Sequence, residues 1–153
     1  MRTLMNGIFV GKMMYACQLY GGLNEGQCHQ LQLLQNRAAK IVTNQGGNTS
    51  SSDALKRCKW LNFKRSVKLQ SVLLFYKNRV TKSSKYILNR TMGARSQLFS
   101  QMPEHETIQI GILKNSFIPR SIREWNSLPL VIRKSISTTK LKRNLRTYYM
   151  EEV

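Results

Sequence analysis

A helix bracketed by two prolines constrains this chain more than any other stretch. It lies in Ser116-Phe117-Ile118-Pro119-Arg120-Ser121-Ile122-Arg123-Glu124-Trp125-Asn126-Ser127-Leu128-Pro129. Pro119 fits a first helical turn, where its missing N–H costs nothing, and Pro129 requires the helix to have stopped before it. Ile118, Ile122 and Trp125 recur at i, i+4 and i+7 and so share one face. Arg120, Arg123 and Glu124 fall away from that face. The spacing predicts a short amphipathic helix over 118–127. Its Trp, which can bury up to ~250 Å², needs another part of the chain to cover it. On local pattern alone this is a packing helix with a solvated basic back.

Helical spacing extends through most of the remaining sequence. From Thr3 to Tyr20 the apolar residues Leu4, Met5, Ile8, Phe9, Val10, Met13, Met14, Tyr15, Cys17, Leu19 and Tyr20 point nearly all round. That pattern predicts a helix packed on most sides, ended by Gly21-Gly22, with something upstream expected to cover it. Asn24 is a good N-cap, and Gln27 completes a capping box. The helix that follows carries Leu31, Leu34, Ala38, Ile41 and Val42 on one face. After the polar connector 44–52, Ser52 or Asp53 caps a short helix with Ala54, Leu55 and Cys58, closed by Trp60-Leu61. Asn62 caps the next, over 63–80, with an apolar stripe of Val67, Leu69, Val72, Leu73, Tyr76 and Val80.

From Asn89 to Lys114 the helical pattern fails. Gly93, Pro103 and Gly111 interrupt it, and Ile108, Ile110 and Ile112 alternate as a strand would, with Gln97-Leu98-Phe99 as a pairing partner. Ser137 then caps a last helix, 138–149, in which Leu141, Leu145 and Tyr148 share a face. The fold class expected is mainly α: a small helical assembly with a short extended or β-hairpin segment around residues 95–114. Two regions are expected, 1–90 and 91–153.

Charge decides which partners to consider. Of 153 residues, twenty-five are Lys or Arg and seven are Asp or Glu, a formal net charge of +18. Such an excess repels itself unless a polyanion neutralises it, so nucleic acid comes first and an anionic membrane surface second. Between Ala54 and Pro103 there is no acid, although twelve cations lie there. This gives up the i,i+4 ion pairs of an ordinary helical surface, which favours a phosphate-facing surface over undirected excess. Lys64, Arg65 and Lys68 gather at a helix start, where the dipole disfavours cations by ~0.3–1 kcal/mol. Lys140, Lys142, Arg143 and Arg146 cover the outside of the last helix. The candidate phosphate contacts are Arg37, Lys40, Lys64, Arg65, Lys68, Arg120, Arg123, Lys142, Arg143 and Arg146, acting by charge and not by reading bases. Neither an aromatic platform nor a recognition helix suggests sequence-specific reading.

Chemistry of other kinds has little to work with. Asp53 is the only aspartate, and the close pair Glu104 and Glu106 falls on opposite faces of an extended segment. Cys17, Cys28 and Cys58 are an odd count without C-x-x-C spacing, and His29 and His105 are far apart, so no catalytic set, metal site or cofactor is expected. No apolar run approaches the ~18 residues of a membrane span, and no membrane partner is expected. An intracellular compartment, nuclear or cytoplasmic, suits the free cysteines.

The proline-bracketed segment also resembles the "F-x-P-R-x-I-x-x-W-N-x-L-P" signature near the C-terminus of non-LTR (LINE-type) retrotransposon reverse transcriptases. The residues that match are Phe117, Pro119, Arg120, Ile122, Trp125, Asn126, Leu128 and Pro129. Three more patches follow the family's order. LQNRAAKIVT, ending at Thr43, is similar to its "Q-x-R-A-A-R-x-I" helix just after the polymerase core. Trp60, Leu61, Phe63, Arg65, Leu74, Phe75, Tyr76 and Lys77 fit its "L-x-W-L-x-[LF]-x-x-R…L-x-x-[LF]-Y-K" run. The last helix resembles its closing "S-x-x-x-[FL]-K-x-x-L-x-x-[YH]". The Tyr20-Gly21-Gly22 turn is a partial match to an aromatic–Gly turn.

The resemblance implies a thumb-like region over 1–90, following the palm, and a C-terminal region over 91–153. It implies a fragment of an RNA-directed DNA polymerase that packs on the upstream palm and fingers and binds template RNA or an RNA–DNA hybrid. Such a polymerase needs paired aspartates to hold two metals. The family's "[YF]-x-D-D" is absent here, so no catalysis is expected from the chain alone. The alternatives are a free-standing nucleic-acid-binding protein derived from the fragment, and a non-functional relic.

Overall fold

The computed structural model describes residues 2–15, 17, 23–44, 50–81 and 117–151. These are mainly helical, with no strand among them. The extended segment expected around 95–114, the Tyr20-Gly21-Gly22 turn and the boundary expected at 90–91 lie outside the described residues. The chain divides into two compact units, residues 1–67 and 68–153.

The first unit opens with α1 (Arg2–Met5), which widens into a π-helical stretch (Asn6–Val10) and continues as α2 (Gly11–Met14). The wider turn lengthens the helical repeat toward four residues. Leu4, Gly7 and Ile8, Gly11 and Lys12, and Tyr15 are accordingly exposed, while Met5, Phe9, Val10, Met13 and Met14 turn inward. The expectation of a helix packed on most sides is therefore corrected. The π-widened repeat collects the inward side chains on one side and leaves Leu4, Ile8 and Tyr15 exposed. The helix also stops at Met14, where Tyr15 turns extended.

Helix α3 (Glu25–Val42) starts at the predicted capping box. Asn24 Oδ1 accepts from the Gln27 N–H at 2.8 Å, and Gln27 Oε1 accepts from the Asn24 N–H at 3.1 Å. Its buried face runs through Gln35, Ala38 and Ala39, with Leu31 and Val42 half-buried, whereas Leu34 and Ile41 are exposed. Small alanines let α4 (Ser51–Cys58) approach α3 closely, and Ala38, Ala39, Ala54, Leu55, Cys58 and Trp60 form one core cluster. The N-cap of α4 is Ser50, two residues before Ser52 and three before Asp53, and its side chain makes no capping bond.

At the other end of α4 the chain turns through Lys59, at φ 56° and ψ 38°. The Lys59 N–H bonds Lys56 O and the Trp60 N–H bonds Leu55 O, each at 2.9 Å. These two bonds satisfy carbonyls that the helix end would otherwise orphan, and Trp60 then packs in the same cluster as Leu55.

Helix α5 (Phe63–Thr81) supplies Phe63 to Val67 to the first unit and the rest to the second. Asn62 caps it as predicted, Oδ1 accepting from the Arg65 N–H at 2.9 Å. Within the first unit, two glutamines of α3 hold the start of α5. Gln32 Oε1 accepts from the Phe63 N–H at 2.7 Å, and Gln35 Nε2 donates to Leu61 O at 2.8 Å. Phe63 and Val67 meet Cys17, with Met13, Met14, Leu23, Cys28 and Leu31 around them.

In the second unit α5 buries Leu69, Val72, Leu73, Phe75 and Tyr76, while Val80 is exposed and leaves the predicted stripe. Then come α6 (Phe117–Ser127), α7 (Leu130–Arg133) and α8 (Thr138–Glu151). The predicted helix at 118–127 is α6, with Pro119 in its first turn and Ile122 and Trp125 buried; Pro129 is the N-cap of α7. Trp125 lies against Phe75 and Tyr76, at centroid distances of 6.4 and 5.8 Å. Ser137 Oγ caps α8 by accepting from the Lys140 N–H at 3.2 Å. Helix α8 buries Leu141, Leu145 and Tyr149. Tyr148, expected on that face, is half-buried instead, so the inward residues follow i, i+4, i+8.

Candidate nucleic-acid interface

Each candidate cation is set by the helix that carries it. In the first unit, Arg37 is exposed on α3 and Lys40 is half-buried one turn later. Lys64, in the first turn of α5, donates to Glu25 Oε2 in the first turn of α3. That bond is the principal cause that raises the Lys64 ammonium above the usual lysine range. Arg65 beside it is half-buried.

In the second unit, Lys68 reaches Glu124 Oε1 on α6 at 3.2 Å. Arg120 and Arg123 on α6 are half-buried. Two of the three cations gathered at the start of α5 are thus each held by a carboxylate. Solvent screens such pairs wherever they are exposed, so they add little to stability. They do answer locally the charge that the sequence pattern assigns to phosphate. Glu124, expected to fall away from the packed face, is mostly covered and spends its charge on Lys68.

Helix α8 carries its cations on the outside. Lys142, Arg143 and Arg146 are exposed, and Lys140, outside the candidate set, is exposed on the same helix. The inward residues Leu141, Leu145 and Tyr149 take the opposite side, so the four cations spread over the outward one. No acid occurs on α8 before Glu151 at its last position. The sequence pattern already places Lys140 on this outer surface, three residues before Arg143. Lys134, in the turn before α8, is exposed as well.

No family model, no curated protein and no solved structure matches this chain. The functional reading therefore stands on the residues themselves.

The signature residues have structural duties. Trp60, Ile122, Trp125 and Leu128 are buried, and Phe117, Pro119 and Asn126 are half-buried on α6. Arg133, basic in sequence, is turned inward, its Nε donating to Leu128 O at 3.1 Å. It stabilises the chain where α6 ends and takes no place on the outer surface. No helix is long and apolar enough to cross a membrane among the described residues. What the arrangement offers chemically is a row of lysines and arginines on a fixed helix, suited to holding phosphate oxygens by charge.

Proposed function

We propose that this chain is the C-terminal piece of a non-LTR retrotransposon reverse transcriptase. It has no catalytic activity alone and holds template RNA or an RNA–DNA hybrid through the outward side of α8. The observation that carries the reading is the row Lys140, Lys142, Arg143 and Arg146, exposed on one helix with no carboxylate among them before Glu151. The row spans six residue steps of a helix that rises ~1.5 Å per residue, a length comparable to a few phosphates of one strand. Contacts of that kind release counterions and carry no base preference.

Two features support the ancestry. The motif residues with the most demanding geometry occupy places that suit them: Pro119 in a first turn, Trp125 in the core, Pro129 as the cap of α7. The exposed apolar side chains Leu4, Ile8 and Tyr15 are of the kind that would pack on an upstream polymerase core.

The test is binding of a labelled RNA and of a matching RNA–DNA hybrid between about 50 and about 200 mM salt. The expected log–log slope is about −3 to −4 for the hybrid, and two unrelated sequences should bind alike. A flat salt dependence would defeat the binding role. Reading the genomic sequence upstream of Met1 tests the origin. An in-frame Tyr/Phe-x-Asp-Asp palm motif supports it, and binding without such a motif favours a free-standing protein.

A further inference from the structure

We propose that the corner between α7 and α8 seats on the open end of a nucleic-acid duplex. Val131 and Ile136 would lie against the exposed face of the terminal base pair, with Lys134 and Lys140 on the flanking phosphates. This rests on the nucleic-acid reading above and names which part of the nucleic acid the second unit takes.

The starting observation is apolar surface among cations. Val131 is 80% exposed and Ile136 is 84% exposed, with Leu130 also open to solvent. A single exposed aliphatic residue is ordinary. Here three fall between positions 130 and 136, with exposed Lys134 among them and exposed Lys140, Lys142 and Arg143 on the helix that follows.

The corner is held firmly from beneath. Helix α7 packs on α8, and Ile132 and Ser135 are buried. The Ser135 carbonyl accepts from the Tyr76 hydroxyl at 2.9 Å, and its Oγ is bonded by Asn144 Nδ2 at 3.3 Å. Val131, Lys134 and Ile136 alternate with these anchored residues and face outward.

A side chain four-fifths exposed protrudes and cannot line a groove. Its partner must therefore present a flat or concave apolar surface bordered by negative charge. A second copy of this chain brings the same excess of positive charge, which opposes self-association here. The flank of a duplex presents phosphates and polar groove edges. Only its end presents a broad apolar face, that of the terminal base pair, with phosphates at the rim. Along the flank, aliphatic wedges of Leu, Ile and similar residues reach base faces only by unstacking a step, at about a few kcal/mol, whereas the terminal pair is already open. Without an aromatic ring the contact is apolar burial alone, so it is independent of base identity.

The experiment compares the full chain on a short RNA–DNA hybrid with open ends and on the same hybrid sealed by loops at both ends. The open hybrid is expected to bind about tenfold more tightly. Val131→Ser with Ile136→Ser should remove that preference while leaving the salt slope intact. Both positions are exposed, and unchanged helicity and thermal midpoint would confirm that the variant is folded. Equal affinity for open and sealed hybrids overturns the end-capping role and leaves the binding reading standing. An end preference that survives the double substitution overturns the assignment to this corner. Loss of binding to both hybrids by the unaltered chain overturns the underlying reading, and this proposal with it.

Discussion

Tyr76 lies stacked on Trp125, ring centroids 5.8 Å apart and planes 20° from parallel, while its hydroxyl donates to the Ser135 carbonyl at 2.9 Å. One side chain of α5 therefore both covers the Trp of the proline-bracketed helix and ties down the chain before α8. The aromatic contact contributes ~0.5–1.5 kcal/mol beyond area burial.

Tyr76→Phe keeps the ring and removes the hydroxyl, leaving a buried carbonyl without that donor. The expected cost is about 1–3 kcal/mol. Urea denaturation should show a lower midpoint with an unchanged slope. Trp125→Ala should cost more, about 3–5 kcal/mol, because it also leaves a cavity.

Alkaline stability reports on the same residue. Burial raises the Tyr76 hydroxyl above its ordinary value of 10.0. The folded state therefore holds the proton more tightly than the unfolded one. That stabilisation is complete below about pH 10 and is lost as pH rises through the folded value. Lys64, raised chiefly by its bond to Glu25, loses stability in the same direction. Denaturation midpoints measured across the alkaline range should fall less steeply in Tyr76→Phe than in the parent chain.

Lys59 holds a left-handed conformation that favours glycine. Lys59→Gly should relieve about 1–2 kcal/mol of strain and lose about 0.5–1 kcal/mol of that to the freer unfolded chain. A small net rise in thermal midpoint is expected. A fall would mean that the lysine side chain contributes more than its backbone costs.

The glutamines of α3 differ in what each satisfies. Gln32→Ala removes the side-chain acceptor of the Phe63 N–H in the first turn of α5, at about 1–3 kcal/mol. Gln35→Leu should cost less. Leu61 O keeps the Ser66 hydroxyl at 3.3 Å, and the substitution removes Gln35 Oε1, a buried acceptor with no partner. Equal losses in the two variants would contradict this ranking.

Charge removal separates the two groups of cations. Lys140→Gln with Lys142→Gln and Arg143→Gln should lower the salt slope of hybrid binding by about 3. Lys64→Gln with Lys68→Gln should change it by less than about 1, since each lysine already faces a carboxylate.

The division between what was readable in the residues and what was not follows the range of the interactions. Helix starts were readable. Asn24 with Gln27, Asn62, Ser137 and Pro119 act on backbone groups within four residues, so the sequence by itself determined where α3, α5, α6 and α8 begin. The outward cations of α8 were readable for the same reason, because the helical repeat alone separates them from Leu141 and Leu145. Only the tertiary structure decided which apolar residues find a neighbour. Leu34, Ile41 and Val80 have the right spacing and remain exposed, while Gln35, Ser71 and Ser121 are buried. It alone brought Glu25 to Lys64 and Glu124 to Lys68, neutralising candidate phosphate contacts through partners distant in sequence. Periodicity states that a face is apolar, but burial and ion pairing need a second surface, and only the folded chain supplies it.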